Sequence, residues 1–277
     1  MKLRWMLAGL LAAGAALLPA QNPPELTGIA HIAFRVSDVD REVNFFGKLG
    51  FEEAASQVLD GHALEVTLKI NDREFIEVYP RTDAGQPLGL MHVCYETPDL
   101  KTLRLHYAAE GLRPSAARPT PENDIFFSLL DSDGRAVEFT EYLPEGGQRL
   151  DRGQHLGEGR VSDELIGFEM PVTDVPAARK FYEELGFTAE KDGPNVRLTL
   201  PANGDLGIEL HTMRTNKQPQ FLFAVDDARH TARELKKAGL PVAREKKLVF
   251  VHDPDGDVFV LLETGGRSAR RLIPWRW

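Results

Sequence analysis

The sequence predicts an α+β fold of four βαβββ modules, paired into two cup-shaped mixed sheets with the helices on their outer face. The first observation behind this prediction is an internal repeat. Val36-Ser37-Asp38-Val39 runs on to Leu49-Gly50-Phe51, and 136 residues later Val172-Thr173-Asp174-Val175 runs on to Leu185-Gly186-Phe187. Self-similarity at a fixed offset is the signature of a duplicated architecture. The two halves of the chain are therefore related to each other.

The second observation is that each half contains the same unit twice. A short strand of alternating apolar and polar residues leads into a helix whose first Asp is a good N-cap and whose end is marked by Gly. Asp-x-Asp-Gly turns then precede a further strand, as in hairpins. The weaker copies comprise helices from Asp99 to Gly111 and from Asp227 to Gly239, and turns at Asp131–Gly134 and Asp253–Gly256. The predicted modules span residues 26–80, 88–143, 164–212 and 219–264.

Composition shifts along the chain divide these modules into two domains. Residues 26–143 form the first two-module domain and residues 164–264 the second. The polar segment between them, residues 144–163, contains five glycines and is typical of an interdomain linker. Residues 265–277 form a basic, aromatic tail, which we interpret as a surface extension.

The first twenty residues have the pattern of a secretory signal peptide. Lys2 and Arg4 precede an apolar run from Trp5 to Leu18, and small Ala20 ends the segment. The run is shorter than the roughly 20 residues of a membrane-spanning helix, although an uncleaved anchor stays open. We expect cleavage after Ala20, a secreted or periplasmic protein, and no membrane span after cleavage.

Composition and charge limit the classes of molecule that we expect the protein to bind. Apolar residues make up 42% and charged residues 27% of the 277, which is typical of a globular protein. The net charge of −9 is spread without basic patches, which argues against a nucleic-acid partner. The single cysteine, Cys94, cannot form an internal disulfide. We expect a small-molecule substrate and a monomer or homodimer.

Strand parity places a set of metal-ligand side chains on one face of the first predicted sheet. Successive side chains of a strand point to opposite faces. Ile32, Phe34 and Val36 belong to the apolar face, so His31 and Arg35 point to the concave side. The same argument sends Glu77 (with Tyr79), His92 and Glu138 to that side.

Two imidazoles and two carboxylates converging on one cup suit a single divalent metal ion. Zn, Ni, Fe and Mn all accept such mixed nitrogen and oxygen ligands. Each of the four residues alone is an ordinary polar side chain on a strand. They occupy matching positions in modules one and two, however, and that coincidence favours a site formed by His31, Glu77, His92 and Glu138.

These motifs resemble the vicinal oxygen chelate superfamily, which includes glyoxalase I, extradiol dioxygenases and the bleomycin-resistance proteins. The resemblance is carried by the opening strand from Gly28 to Val36, the Leu-Gly-Phe helix ends and the Asp-x-Asp-Gly turns. The ligand set is similar to that of bacterial glyoxalase I. That similarity implies a metal-dependent lyase or isomerase, with Glu138 or Glu77 as general base and Arg35 or Tyr79 binding the substrate.

Two other functions stay open at this stage. An Fe(II) extradiol dioxygenase would need only His31, His92 and Glu138, with Glu77 as an extra ligand. A non-catalytic protein that sequesters a drug-like molecule is the other alternative.

The second half of the chain is expected to lack a metal. Its corresponding positions read Gly167, Glu209, Gln220 and Val260, although Glu169, Glu209 and His211 could line a second cup. Modules one and two are expected to pair within one chain, a swapped homodimer being the alternative. The remaining histidines, which match no ligand position, are predicted to be surface residues: His62, His106, His155, His230 and His252.

Overall fold

The computed structural model describes residues 25–190, 195–200, 207–212 and 218–264. The predicted signal peptide at residues 1–20 and the tail at residues 265–277 lie outside these described residues. Within them, the chain forms two curled eight-stranded mixed sheets and five helices, in agreement with the predicted fold class.

The first sheet contains strands from modules one and two only. Its strand order is β2-β3-β4-β1-β5-β8-β7-β6. β1 runs parallel to β4 and antiparallel to β5, and β5 runs parallel to β8, so the two modules meet along β1 and β5. The pairing within one chain is therefore as predicted. The strands are β1 (Gly28–Val36), β2 (Glu52–Leu59), β3 (His62–Lys69), β4 (Phe75–Pro80), β5 (Gly89–Glu96), β6 (Arg118–Pro119), β7 (Ile125–Leu130) and β8 (Ala136–Glu141).

The second sheet repeats this topology with modules three and four. Its order is β10-β11-β12-β9-β13-β16-β15-β14, and the parallel and antiparallel pairs match those of the first sheet. The strands are β9 (Leu165–Val172), β10 (Thr188–Ala189), β11 (Val196–Thr199), β12 (Gly207–Thr212), β13 (Gln220–Val225), β14 (Val242–Glu245), β15 (Leu248–His252) and β16 (Val258–Glu263).

Each module contributes one ten-residue helix that begins after an aspartate. The Asp38 carboxylate accepts a hydrogen bond from the backbone N–H of Arg41 at 3.0 Å, and Asp174 caps its helix in the same way. These caps satisfy backbone donors that the first helical turn leaves unpaired. Gly50 follows the first helix with φ of +83°, a conformation that favours glycine. The helices are α1 (Val39–Lys48), α2 (Leu100–Ala109), α4 (Val175–Glu184) and α5 (Ala228–Lys237).

The outer, helix-bearing faces of the two sheets pack against each other. Phe34 of β1 contacts Phe221 of β13, with ring centroids 4.8 Å apart, and Tyr95 contacts Phe187 at 5.4 Å. One continuous hydrophobic cluster includes residues of both sheets. Because the apolar faces are used in this shared core, the concave faces are left for polar side chains.

The segment predicted as a linker packs on the edge of the first sheet and contains a short helix, α3 (Gly147–Leu150). The Lys69 ammonium, which is fully buried, binds the Asp151 carboxylate at 2.8 Å and the Asp151 carbonyl oxygen at 2.6 Å. The composition of this segment predicts an interdomain linker. The buried Lys69 contact, which composition does not reveal, holds the segment as a strap over the cup.

No helix within the described residues is long and apolar enough to cross a membrane.

Candidate metal centre

The four predicted ligands lie on four adjacent strands of the first sheet, β4, β1, β5 and β8. Ala33 of β1 is paired with Glu77 on one side and with His92 on the other. Cys94, two residues after His92, is paired with His31 and with Glu138. The ladder register therefore places the four side chains side by side on the concave face.

The ligand atoms of these four side chains converge. The Nε2 atoms of His31 and His92 are 3.0 Å apart. Glu77 lies against both rings, with one oxygen 3.3 Å from Nδ1 of His31 and the other 3.7 Å from Nε2 of His92. A Glu138 oxygen lies 3.7 Å from the same Nε2 of His92. Between 10% and 14% of each of these side chains is exposed.

This donor set fits a divalent metal ion. Two imidazole nitrogens bound at adjacent positions of one ion, each at about 2.1 Å, lie about 3 Å apart, which matches the separation of His31 and His92. His31, Glu77 and His92 each offer an atom within 4.8 Å of the other two. The carboxylates supply negative charge to balance a dication. At 3.7 Å, Glu138 is too far from His92 for a hydrogen bond, so that bond does not occupy its oxygen.

The electrostatics of the cup keep one imidazole neutral. Burial, assisted by His92, lowers the pKa of His31 to about 4, against an opposing contribution from Glu77. Burial also opposes charge on His92, but the Glu77 and Glu138 carboxylates raise the pKa of His92 overall. Because metal ligation needs an unprotonated nitrogen, His31 can ligate at neutral pH without first losing a proton.

The two carboxylates differ in their surroundings. Burial disfavours charge on Glu77, yet the two histidines and the Tyr79 hydroxyl hold its pKa down to about 2. Tyr79 donates a hydrogen bond to Glu77 at 2.8 Å. For Glu138 burial dominates and raises its pKa above the ordinary value.

Of the two predicted substrate-binding residues, Tyr79 lies inside the cup and Arg35 at its rim. The Arg35 side chain is half-buried and donates a hydrogen bond to the carbonyl of Pro87 at 3.2 Å. The Tyr79 hydroxyl is engaged with Glu77, so Tyr79 positions that carboxylate. The structure thus brings Tyr79 into contact with the ligand set and leaves Arg35 at the edge.

Sequence reasoning missed a third acidic residue in the cup, Glu65 of β3. Burial, followed by the charges of Glu77 and Glu122, raises the pKa of Glu65 to about 8. Gln57 donates a hydrogen bond to Glu65 at 2.9 Å. The parity of β3, with Val66 in the core, could have placed Glu65 on the concave face, but β3 has no residue in the matched ligand positions.

Cys94 was also missed as a neighbour of the ligands. Its sulfur lies near the ligand atoms of His31 and Glu138, all within 4.8 Å of one another. Burial and then the Glu138 and Glu77 carboxylates raise the pKa of the Cys94 thiol well above its usual range. A thiol is a poorer ligand than a thiolate, so the buried Cys94 is a weaker candidate ligand than the four predicted residues.

Comparison with known proteins agrees with this geometry. Residues 165–261 match the family model described as the Glyoxalase/Bleomycin resistance protein/Dioxygenase superfamily. The matched segment is the second sheet, and the first sheet has the same strand order. The second domain therefore resembles this superfamily in sequence, and the first domain repeats its strand order. No curated protein sequence matches the chain.

Several solved structures share this fold across both domains. The Mn(II)-bound glyoxalase from Novosphingobium aromaticivorans is 15% identical, with a TM-score of 0.68 over 87% of this chain and 83% of its own. The 2,3-dioxygenase LapB from Pseudomonas sp. KL28 is 15% identical, with a TM-score of 0.65 over 88% and 94%. Homoprotocatechuate 2,3-dioxygenase from Arthrobacter globiformis is 17% identical, with a TM-score of 0.64 over 89% and 82%. At these identities the likeness concerns the fold.

In the second cup, the ladder register places Gly167, Glu209, Gln220 and Val260 where the first cup has its four ligands. A Cβ added to Gly167 would lie 2.2 Å from the carbonyl oxygen of Gly207. The close approach of β12 therefore leaves no space for a side chain at the position equivalent to His31. Glu169, Glu209 and His211 are buried in this cup.

The histidines predicted to be surface residues lie away from the ligand set. His62, His230 and His252 are exposed, and His106 is half-buried at the end of α2. His155 is exposed and pairs with Asp151 in the strap at 2.6 Å.

Proposed function

We propose that the first cup holds one divalent metal ion through His31, Glu77, His92 and Glu138. We further propose that it acts on a small substrate carrying two adjacent oxygen atoms, as a lyase or isomerase of the glyoxalase type. The observation that supports this best is the convergence of two imidazole nitrogens and two carboxylates from four strands. All four come from one chain, so the proposed site needs no second subunit.

A metal bound here would supply Lewis acidity, which lowers the energy of negative charge developing on a substrate oxygen. Zn, Ni, Fe and Mn remain the candidates, and the structural neighbour from Novosphingobium is described as Mn(II)-bound.

Within the cup, Glu138 is the stronger candidate for the general base. The Tyr79 hydroxyl donates a hydrogen bond to Glu77 and restrains that carboxylate. Among the described residues, by contrast, the nearest positively ionisable group to Glu138 is His92, at 3.7 Å. Burial raises the pKa of Glu138, which increases its affinity for a proton taken from the substrate.

A cavity large enough for a small molecule lies at the edge of the cup. It has a volume of about 290 Å³ between β2, β3 and the strap, with Thr67, Glu122 and Asp151 in its wall, and Thr67 is the ladder partner of Glu77. Thr67 follows Glu65 by two residues and shares its face of β3. Arg35, at the rim, is proposed to attract an anionic or polar group of the substrate.

The test combines metal analysis with activity assays of the metal-loaded protein. We expect about one equivalent of Zn, Ni, Fe or Mn in the wild type and a large loss in His92→Ala. Thiol adducts of methylglyoxal are the first substrates to assay, and His106→Ala, which changes a histidine outside the cup, is the control. A wild-type protein that binds none of these four metals would overturn the proposal.

One contact favours a second candidate function, an extradiol dioxygenase. Glu77 Oε1 lies beside Nδ1 of His31, on the opposite side of the ring from the Nε2 that faces His92. A carboxylate in that position can orient a ligating histidine without binding the metal itself. His31, His92 and Glu138 would then form a two-histidine, one-carboxylate triad with open positions, a pattern typical of Fe(II) oxygenases.

Glu77→Gln separates the two functions. If Glu77 is a ligand, as in the lyase, the substitution lowers metal affinity and abolishes activity on the thiol adducts. If Glu77 only orients His31, the variant retains metal, because glutamine still accepts a hydrogen bond. Oxygen uptake with catechols, measured on the Fe(II)-loaded wild type, then identifies the dioxygenase directly.

We also propose that residues 1–20 direct export and that the enzyme works outside the cytoplasm. The support is the charged, apolar and small-residue pattern of this segment.

A further inference from the structure

Two equivalent turns of the duplicated fold differ in their charged residues. Asp131-Ser132-Asp133-Gly134-Arg135 joins β7 to β8, and Asp253-Pro254-Asp255-Gly256-Asp257 joins β15 to β16. Both turns form the same hydrogen bonds to the other domain. Asp133 accepts hydrogen bonds from the backbone N–H and the hydroxyl of Thr173, and Asp255 accepts them from those of Ser37. The two turns are therefore structural counterparts.

In the first turn, an arginine of the chain itself neutralises the carboxylates. The Arg135 guanidinium lies 3.4 Å from Asp131 and 2.9 Å from Asp133, and donates a hydrogen bond to the Pro171 carbonyl at 2.6 Å. The facing helix α4 presents Ala178, an apolar residue. One cation and two carboxylates thus occupy this site.

In the second turn, both of these positions have become acidic. Asp257 stands where the first turn has Arg135, and the facing helix α1 presents Glu42 where α4 has Ala178. Glu42 is only 1% exposed, and Asp253 and Asp257 are 6% and 5% exposed. Among the described residues, no Lys, Arg or His forms an ion pair with these three residues or with Asp255. Four carboxylates meet where the counterpart site has a guanidinium.

Glu42 gives the independent indication of a ligand. Both of its carboxylate oxygens are buried and receive no hydrogen bond from an N–H or hydroxyl donor, and the same holds for Oδ2 of Asp253, the carboxyl that Glu42 contacts. The negative charges of Asp253, Asp255 and Asp257 all act on the Glu42 carboxyl. A buried carboxylate that lacks a donor carries a large desolvation cost unless a proton or a cation balances it.

We infer that Glu42, Asp253 and Asp257 bind a hard divalent cation, of the calcium class, at the interface between the two domains. Carboxylate oxygens without nitrogen or sulfur ligands suit Ca²⁺ or Mg²⁺, whereas the histidines of the first cup suit transition metals. Among the described residues, no three of these carboxylates bring oxygens within 4.8 Å of one another. In this geometry at most two of the carboxylates would bind the ion directly, and the third would bind it through its water shell.

A cleft of about 600 Å³ between α1 and the second domain brings solvent to one of the three carboxylates. Asp253 is in its wall, together with the cationic side chains of Arg41 and Lys48. Without a cation, burial and the neighbouring aspartates raise the pKa of Glu42 to about 9 and that of Asp257 to about 7. A bound cation would return these carboxyls to their ionised state.

Thermal unfolding of the full chain in calcium and in EDTA tests the inference. With 10 mM Ca²⁺ at pH 8 we expect the Tm to rise by about 3 to 6 °C, because the ion binds only the folded state. The double variant Glu42→Ala, Asp257→Arg copies the first turn. It should have a higher Tm than wild type in EDTA and no calcium response.

Further measurements distinguish calcium binding at this site from loss of folding, from binding elsewhere and from protonation. Glu42→Gln should bind calcium at least tenfold more weakly by titration calorimetry, which holds even if the double variant fails to fold. Asp40→Asn, an exposed acidic residue of the same helix, should keep the full calcium response, as should His92→Ala in the first cup. If calcium leaves the wild-type Tm unchanged while acidification from pH 9 to pH 6 in EDTA raises it, a shared proton replaces the cation and the inference is wrong.

Discussion

Glu74 offers a quantitative test of how the two domains are joined. The side chain is 8% exposed, and its carboxylate accepts hydrogen bonds from the backbone N–H of Leu165 at 3.0 Å and from the amide of Asn71 at 2.6 Å. Leu165 opens the first strand of the second domain, so this contact joins the domains. Burial dominates over these hydrogen bonds and raises the pKa of Glu74 to about 8.

This pKa gives the sign and size of a pH effect on stability. Between about pH 4.5 and pH 8 the folded state holds a proton on Glu74 that the unfolded state has released. The free energy of unfolding therefore falls as the pH rises. The contribution of Glu74 lost between pH 6 and pH 8 is about 2 kcal/mol, with 1.36 kcal/mol for each unit of pKa shift.

The perturbation is Glu74→Gln, which keeps an acceptor for Leu165 but cannot ionise. The assay is urea unfolding at pH 6, 7 and 8 in EDTA. We expect the variant to gain about 2 kcal/mol relative to wild type between pH 6 and pH 8, while the other titrating groups cancel in the difference. Glu53→Gln, the same change at an exposed position, is the control. Parallel profiles for the wild type and Glu74→Gln would refute the reasoning.

Four further predictions address the site, the strap, the packing and the leader. His92→Ala should lower metal affinity at least about 100-fold because one of the four proposed metal ligands is lost. The far-ultraviolet circular dichroism spectrum should stay unchanged. Lys69→Met should lower the free energy of unfolding by about 3 kcal/mol by removing a buried cation from Asp151. Gly50→Ala should cost about 2 kcal/mol more than Gly61→Ala; both glycines have positive φ, but only a Cβ at Gly50 would meet backbone, 2.5 Å from Cα of Arg160. The full-length chain expressed with an export system should lose residues 1–20, as intact mass measurement will show; an unprocessed cytoplasmic product contradicts export.

The sequence was sufficient to predict the fold and to predict which side chains lie on each face of the strands. Alternation along β1 put Ile32 and Phe34 in the core and left His31 on the other side, and the structure has the same arrangement. Repetition then suggested that His92 shares the face of His31, because both open a module. Periodicity and repetition are local signals, and they suffice when a site is built on matched positions of regular strands.

Residues outside these matched positions could not be predicted in the same way. Glu65 enters the cup from a strand with no ligand, and its high pKa arises from burial and from charges that only the folded sheet brings near. Lys69 became fully buried because Asp151, 82 residues later, returns to neutralise it. Composition identified the segment containing Asp151 as a linker, since glycine content reports chain flexibility and carries no information about long-range ion pairs.

The duplication itself explains why the two halves have diverged so far without losing the fold. The core between the sheets needs apolar residues on the outer faces in both domains, and these are present throughout. The concave positions and the turns are free of that requirement. Gly167 shows one outcome, because β12 has moved so close that its carbonyl would lie 2.2 Å from a Cβ there. A histidine could return to position 167 only if β9 and β12 separated. The loss of the ligand set in the second cup is therefore fixed by backbone packing, and a single substitution cannot restore it.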